Sequence, residues 1–140
     1  MLKNEAFWYK SKFTDHHVAL LKKLLHWPLA KRFPGLDLFR IAVLHPDGQK
    51  FFKVVEHGIE RLAELLSVLE EPGAPDPAVM LALQVLANMF KWAAGEFVLR
   101  RKRERVLSVV ANWLTAKNKN IRKAAATVCL NYSVVLLIEK

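Results

Sequence analysis

Apolar residues recur along this chain at steps of three and four, and between these stretches it turns polar and rich in Pro, Gly and Asn. Steps of three and four place side chains on one face of an α-helix. In "DHHVALLKKLLHW", Val18, Leu21 and Leu25 share such a face, and Thr14 stands where a cap belongs. "RFPGLDLFRIAVLH" follows, with Pro34 as an opening residue, and "HPDG" at 45–48 predicts a stop. In "FFKVVEHGIERLAELLSVL", Ile59, Leu62, Leu66 and Leu69 form a stripe, and Gly58 is expected to divide the stretch into a short and a longer helix. "EEPGAPDP" at 70–77 is a loop. In "PAVMLALQVLANMFKWA", Val79, Leu83, Leu86 and Phe90 step by four, three and four. "GEFVLRRKRERVLSVVANWL" predicts one helix or two. "TAKNKN" predicts the last loop and "NKNIRKAAATVCLNYSVVLL" the last helix. Nowhere do β-branched residues alternate with polar ones between turn dipeptides, so the expected class is all-α.

The elements repeat. A shift of 43 residues carries Pro34 onto Pro77 and Asn120, and Leu38 onto Leu81 and Ala124. The same shift carries Val43 onto Leu86 and Cys129, and His45 onto Asn88 and Asn131. A period near 43 lies within the ~40–47 residues of HEAT and armadillo repeats. The expected architecture is one armadillo-like helical solenoid over 1–140, of about three repeats with units near 1–46, 47–92 and 93–138.

Asn131 lies in the apolar half of the last helix, where an unpaired amide costs about 1–3 kcal/mol to bury. The repeat supplies two explanations. If the 79/83/86/90 stripe faces the core, then Gln84, Asn88 and Lys91 share the opposite side, and Thr127 and Asn131 repeat it 43 residues later. On the concave face of a solenoid such a polar ladder can hold the backbone of an extended peptide. Alternatively, Asn88 and Asn131 bond to a neighbouring repeat and set the stacking. The sequence leaves both open.

With 140 residues and 53% hydrophobic content, the chain is long and apolar enough for a packed core. No run approaches 18 uninterrupted apolar residues, so no membrane-spanning helix is expected. "MLKNEAFWYK" carries charges where a signal peptide needs an apolar stretch. A single cysteine, Cys129, excludes an internal disulfide and fits a reducing compartment, cytoplasmic or also nuclear. The formal charge of +9 favours an acidic partner.

Three segments, "WPLAKRFPGLDLFRIAVLHP" (27–46), "LALQVLANMFKW" (81–92) and "NKNIRKAAATVCLNYSV" (118–134), resemble the PUL domain of the phospholipase-activating protein family. The resemblance covers roughly 27–137. It implies an armadillo-like solenoid without enzymatic activity. Its basic concave groove would receive the acidic, tyrosine-bearing C-terminal tail of valosin-containing protein, an AAA+ ATPase of the ubiquitin pathway. Domains of that family run to about twice this length, so the chain is expected to be the first half of such a domain, a short member of the family, or a fragment. The terminal "VVLLI" would then lack a covering repeat, and self-association through 134–138 is expected.

The candidate peptide-binding residues are Arg40, Gln84, Asn88, Lys91, Lys119, Lys123 and Asn131. Arg40 also has Asp37 three residues earlier, a local ion pair. Lys119, Asn120 and Lys123 stand at the mouth of the last helix, where free amides attract anions, and Asn118 or Asn120 is expected as its cap. "LRRKRER" at 99–105 reads as a solvated helix face, the alternative being a nucleic-acid patch. Trp92, Trp113 and Cys129 are expected in the core. His16 and His17 are adjacent and diverge on a helix, so no metal site or cofactor is expected. A nucleic-acid-binding solenoid is the rival function, and it would require a broad phosphate-spaced basic stripe.

Overall fold

The structure, a computed structural model, describes residues 14–28, 33–52 and 54–138. The charged N-terminal stretch and residues 29–32 of the first PUL-like segment lie outside these. Seven α-helices form the chain among the described residues, with no strand: α1 (Asp15–Leu25), α2 (Phe33–Ala42), α3 (Val55–Glu70), α4 (Asp76–Asn88), α5 (Ala93–Arg101), α6 (Arg103–Ala111) and α7 (Lys119–Ile138). Short 3-10 turns, Pro46–Phe51 and Met89–Lys91, follow α2 and α4.

Local chemistry sets the helix starts. Thr14 caps α1 through a capping box in which its hydroxyl accepts from His17 N and the His17 ring accepts from Thr14 N. Asn118 caps α7, its Oδ1 accepting from Asn120 N and Ile121 N. Arg122 adds bonds to the carbonyls of Ala116 and Lys117, which stiffens the loop before α7.

Helices α2, α4 and α7 begin 43 residues apart, and they lie side by side, α2 on α4 and α4 on α7. Bonds at both ends fix the α4–α7 direction. Asn118 Nδ2 donates to Asp76 Oδ2 at the two N-termini, and Asn131 Nδ2 donates to the Ala87 carbonyl near the C-terminus of α4. The two helices are therefore parallel. Behind them α3 packs on α4, α5 and α6. The chain is thus an all-α helical repeat solenoid.

The core runs through the middle of this stack. On α4, Ala78, Val79, Leu81, Ala82, Leu83, Val85 and Leu86 are all buried, which leaves only a stripe through Met80, Gln84, Ala87 and Asn88 partly open. Burial of its five Val and Leu side chains, at about 1.5–3 kcal/mol each, makes α4 the central beam of the domain. Tyr132 of α7 is buried, meets Phe90 edge-on at 4.9 Å, and donates its hydroxyl to the Leu99 carbonyl at 2.7 Å.

Several expectations are corrected. Gly58 does not divide a helix but lies inside the first turn of α3. A Cβ there would stand 2.7 Å from Val98 Cγ2, so glycine is needed for the close approach of α5. The "HPDG" stretch does follow the end of α2, as expected, and it opens a 3-10 turn capped by His45, whose Nδ1 accepts from Asp47 N. Trp92, Trp113 and Cys129 are half-buried rather than core. Each indole keeps its N–H on a main-chain carbonyl, Trp92 on Leu44 and Trp113 on Leu69. Finally, α7 has 20 residues and is apolar enough to cross a membrane by length and composition, although no uninterrupted apolar run signals it. Here it packs on α4 and α6 through Ile121, Ala125, Val128 and Tyr132.

Candidate functional site

Parallel stacking of α4 and α7 leaves a furrow between their accessible sides, and two contiguous clefts occupy it. The first, of about 380 Å³, lies toward the C-terminal end and is lined by Leu44, Ala87, Asn88, Phe90, Lys91, Asn131, Val134 and Val135. The second, of about 530 Å³, lies toward the N-terminal end of α7. It is lined by Met80, Gln84, Ala87 and Asn88 from α4 and by Asn120, Lys123, Ala124 and Thr127 from α7. Ala87 and Asn88 line both, so one furrow runs along the helix pair.

The structure brings together five of the seven candidate residues: Gln84, Asn88, Lys91, Lys123 and Asn131. The repeat explains why. A stagger of 43 residues puts Thr127 beside Gln84 and Asn131 beside Asn88 once the two helices are parallel and start in register. Lys119 is the exposed first residue of α7 and lines neither cleft. Arg40 lines neither cleft. Its guanidinium sits on Asp37, with Nη2 to Oδ1 at 2.6 Å, which is the local ion pair.

Asn88 and Asn131 have a structural task whatever else they do. Asn88 Nδ2 donates to the Arg40 carbonyl at 2.9 Å, and Asn131 Nδ2 donates to the Ala87 carbonyl at 3.2 Å. Each amide ties its helix to the preceding one, one rung per repeat. An asparagine amide has two donor hydrogens and an acceptor oxygen, so a rung occupies one donor and leaves capacity for a ligand. Thr127 back-bonds to the Lys123 carbonyl, which keeps its hydroxyl oxygen as an acceptor.

The two clefts differ in chemistry. Lys123, Asn120, Gln84 and Thr127 make the larger one polar and cationic. Leu44, Phe90, Val134 and Val135 give the smaller one an apolar floor, with Lys91 alongside, its Nζ 5.4 Å from the Trp92 ring. Burial pushes the Cys129 thiol above its ordinary range, so it stays a protonated packing group. Among the described residues no cluster of metal-ligating side chains is found. Sequence reasoning missed Met80, Ala87 and Ala124, which are apolar parts of the furrow wall. The 43-residue shift that carries Met80 onto Lys123 held that signal.

The dense basic run occupies the α5–α6 corner rather than the furrow. Arg105 Nη2 donates to both carboxylate oxygens of Glu70, at 2.6 and 2.7 Å, and Arg100 lies 4.0 Å from Glu96. Part of that charge is therefore neutralised within the fold.

Comparison with known proteins agrees with this architecture. Residues 2–139 match the family described as PUL domain. The chain is 32% identical over 123 residues to phospholipase A-2-activating protein of Xenopus laevis, which covers 88% of this chain and 15% of that protein. It is 27% identical over 130 residues to the ubiquitin fusion degradation protein 3 homolog of Caenorhabditis elegans, which covers 92% of this chain and again 15% of the relative. The chain thus spans about a seventh of the length of these relatives.

Proposed function

This chain belongs to the PUL domain family, and on that premise we propose that it is a non-catalytic protein-binding module whose α4–α7 furrow receives an extended acidic peptide. The observation that carries the reading is the convergence of Gln84, Asn88, Lys91, Lys123, Thr127 and Asn131 on one furrow between parallel helices. Two cations from different repeats flank a line of amides. That arrangement suits a ligand with main-chain groups to pair and carboxylates to neutralise. The partner implied by the family resemblance is the acidic C-terminal tail of a valosin-containing-protein-type AAA+ ATPase. The name of the nematode relative supports a ubiquitin-linked setting. Binding of this kind needs no cofactor.

Titration calorimetry with an acidic, tyrosine-ending peptide tests the reading. Replacing Lys91 and Lys123 together by Glu is expected to weaken binding more than tenfold, since each charge-assisted bond contributes about 1.5–3 kcal/mol. Replacing Arg101 and Arg103 by Glu, at the α5–α6 corner, is expected to change it little. The reverse order would move the binding surface to the basic corner and favour the nucleic-acid reading. A steep salt dependence of RNA or DNA binding would then accompany it.

A further inference from the structure

We infer that the α4–α7 furrow selects an extended ligand chain with two acidic side chains five residues apart, one for Lys123 and one for Lys91. This register rests on the reading of the furrow as a site for an extended acidic peptide. Two bonds set the height of one wall against the other. Asn118 Nδ2 donates to Asp76 Oδ2 at 3.2 Å, and Asn131 Nδ2 donates to the Ala87 carbonyl at 3.2 Å. Lys123 of α7 falls between them, level with Met80 of α4, and both line the larger cleft. Lys91 lines the smaller cleft from the α4 side, in the turn Met89–Lys91 that follows that helix. At 1.5 Å per residue in the helix and about 2.0 Å in the turn, Lys91 lies about 17 Å along the furrow from the level of Lys123. An extended chain advances about 3.3 Å per residue, so it covers this distance in about five residues.

Parity leads to the same spacing. Successive side chains of an extended chain point to opposite sides. Lys123 stands on the α7 wall and Lys91 on the α4 wall. The two acidic side chains must therefore point opposite ways, which only an odd separation allows. Three residues span about 10 Å and seven about 23 Å, which leaves five. With its side chains toward the walls, the ligand turns its main-chain groups to the line of amides from Gln84, Asn88 and Asn131. The α4-side cation has a set place. Lys91 Nζ stands 5.4 Å from the Trp92 ring, and that indole is held by its N–H on the Leu44 carbonyl. Among the described residues no Asp or Glu lines either cleft, so the field along the furrow has one sign and suits carboxylates.

NMR titration of the whole chain reads weak affinities, and the side-chain amide signals of Asn88 and Asn131 report from the furrow itself. The probes are peptides of Ser, Thr and Asn with acetylated and amidated ends and two Glu residues, set three, four, five, six or seven apart. Salt is held at about 0.15 M, where the screening length of about 8 Å is half the separation of the cations, so each acts on its own carboxylate. The expected result is tightest binding at a spacing of five, at least threefold weaker at four and at six. Lys91→Gln and Lys123→Gln are each expected to abolish the preference and bind all spacings alike. Both positions are exposed, and circular dichroism checks that helix content is unchanged. Equal affinity at every spacing, with binding still lost in Lys91→Glu with Lys123→Glu, overturns the register and leaves the furrow as an acidic-peptide site. A maximum at another spacing overturns the register too, as does a preference for five that survives Lys123→Gln. No binding by any peptide of the series, or binding indifferent to both lysines, overturns the reading of the furrow and the register with it.

Discussion

Asn131 of α7 donates its side-chain amide to the Ala87 carbonyl of α4 at 3.2 Å, one period after Asn88 makes the corresponding bond to Arg40. The amide in an apolar helix is paired with a main-chain acceptor that would otherwise lack this partner, which removes its burial cost. It also couples neighbouring repeats at fixed height, so the register of the stack and the alignment of the furrow have one cause.

Asn131→Asp is expected to destabilise the domain by about 1–3 kcal/mol, because it sets a carboxylate oxygen against the Ala87 carbonyl in place of a donor. Asn131→Leu, which removes the donor without adding a charge, is expected to cost less. Thermal unfolding of the two variants gives the order. Equal stability of all three proteins would show that the rung carries no net energy.

The ion pair of Arg61 and Glu64 within α3 supplies a double-mutant test. Glu64 Oε1 accepts from Arg61 Nη2 at 2.9 Å and lies 2.8 Å from His26 Nε2. Arg61 is buried, so Glu64→Leu strands a desolvated guanidinium whose remaining carboxylate, Glu60, is only 3.4 Å away and exposed. The expected loss is about 3–5 kcal/mol. Adding Arg61→Met to Glu64→Leu is expected to restore most of it, which chemical denaturation would measure. A double variant no more stable than Glu64→Leu alone would contradict this.

Two glycines mark the corners that follow α2 and α4. A Cβ at Gly48 would run into the Ala42 carbonyl, and one at Gly95 into the Met89 carbonyl. In both cases the obstacle is backbone, which cannot swing aside. Gly95→Ala is therefore expected to cost about 1–3 kcal/mol, as overpacking does, where an open site would gain from the lower unfolded entropy. Gly73→Ala has space around it but a φ of 76°, so its cost is conformational and smaller. Comparing the two unfolding midpoints separates steric from backbone strain.

Tyr132 gives the fold an alkaline limit. Burial raises its phenol well above the usual tyrosine value of 10.0. Below pH 10 both folded and unfolded chains hold the proton, so the stability is fully present. Above it the unfolded chain releases the proton first, and stability falls as pH rises toward the folded value. Tyr132→Phe is expected to flatten that part of the pH–stability curve while costing about 1 kcal/mol at neutral pH through loss of the bond to Leu99. An unchanged alkaline slope in the variant would assign the limit to another group.

Much of this solenoid was determined by the chain itself. Apolar steps of three and four settle where a helix can bury a face, and a 43-residue recurrence requires the same unit to be built again beside itself. Thus the starts of α2, α4 and α7, the stripe through Val79, Leu83 and Leu86, and the shared side of Gln84, Asn88 and Asn131 were legible without coordinates. Tertiary structure decided what the period leaves open. Whether Asn131 reached a ligand or a neighbour depended on the height of one helix against the next, which no spacing within a helix contains. The ion pair of Arg40 with Asp37, one turn away on the same helix, was legible in the spacing too, and packing decided only that Arg40 lies outside the furrow. Gly58 became a packing contact because α5 arrived there, and Trp92 and Trp113 stopped at the core's edge because their N–H groups needed carbonyls that packing brought from 44 or more residues away. Periodicity is local and survives in one dimension. The partner of each polar group is set only when separate stretches of chain meet.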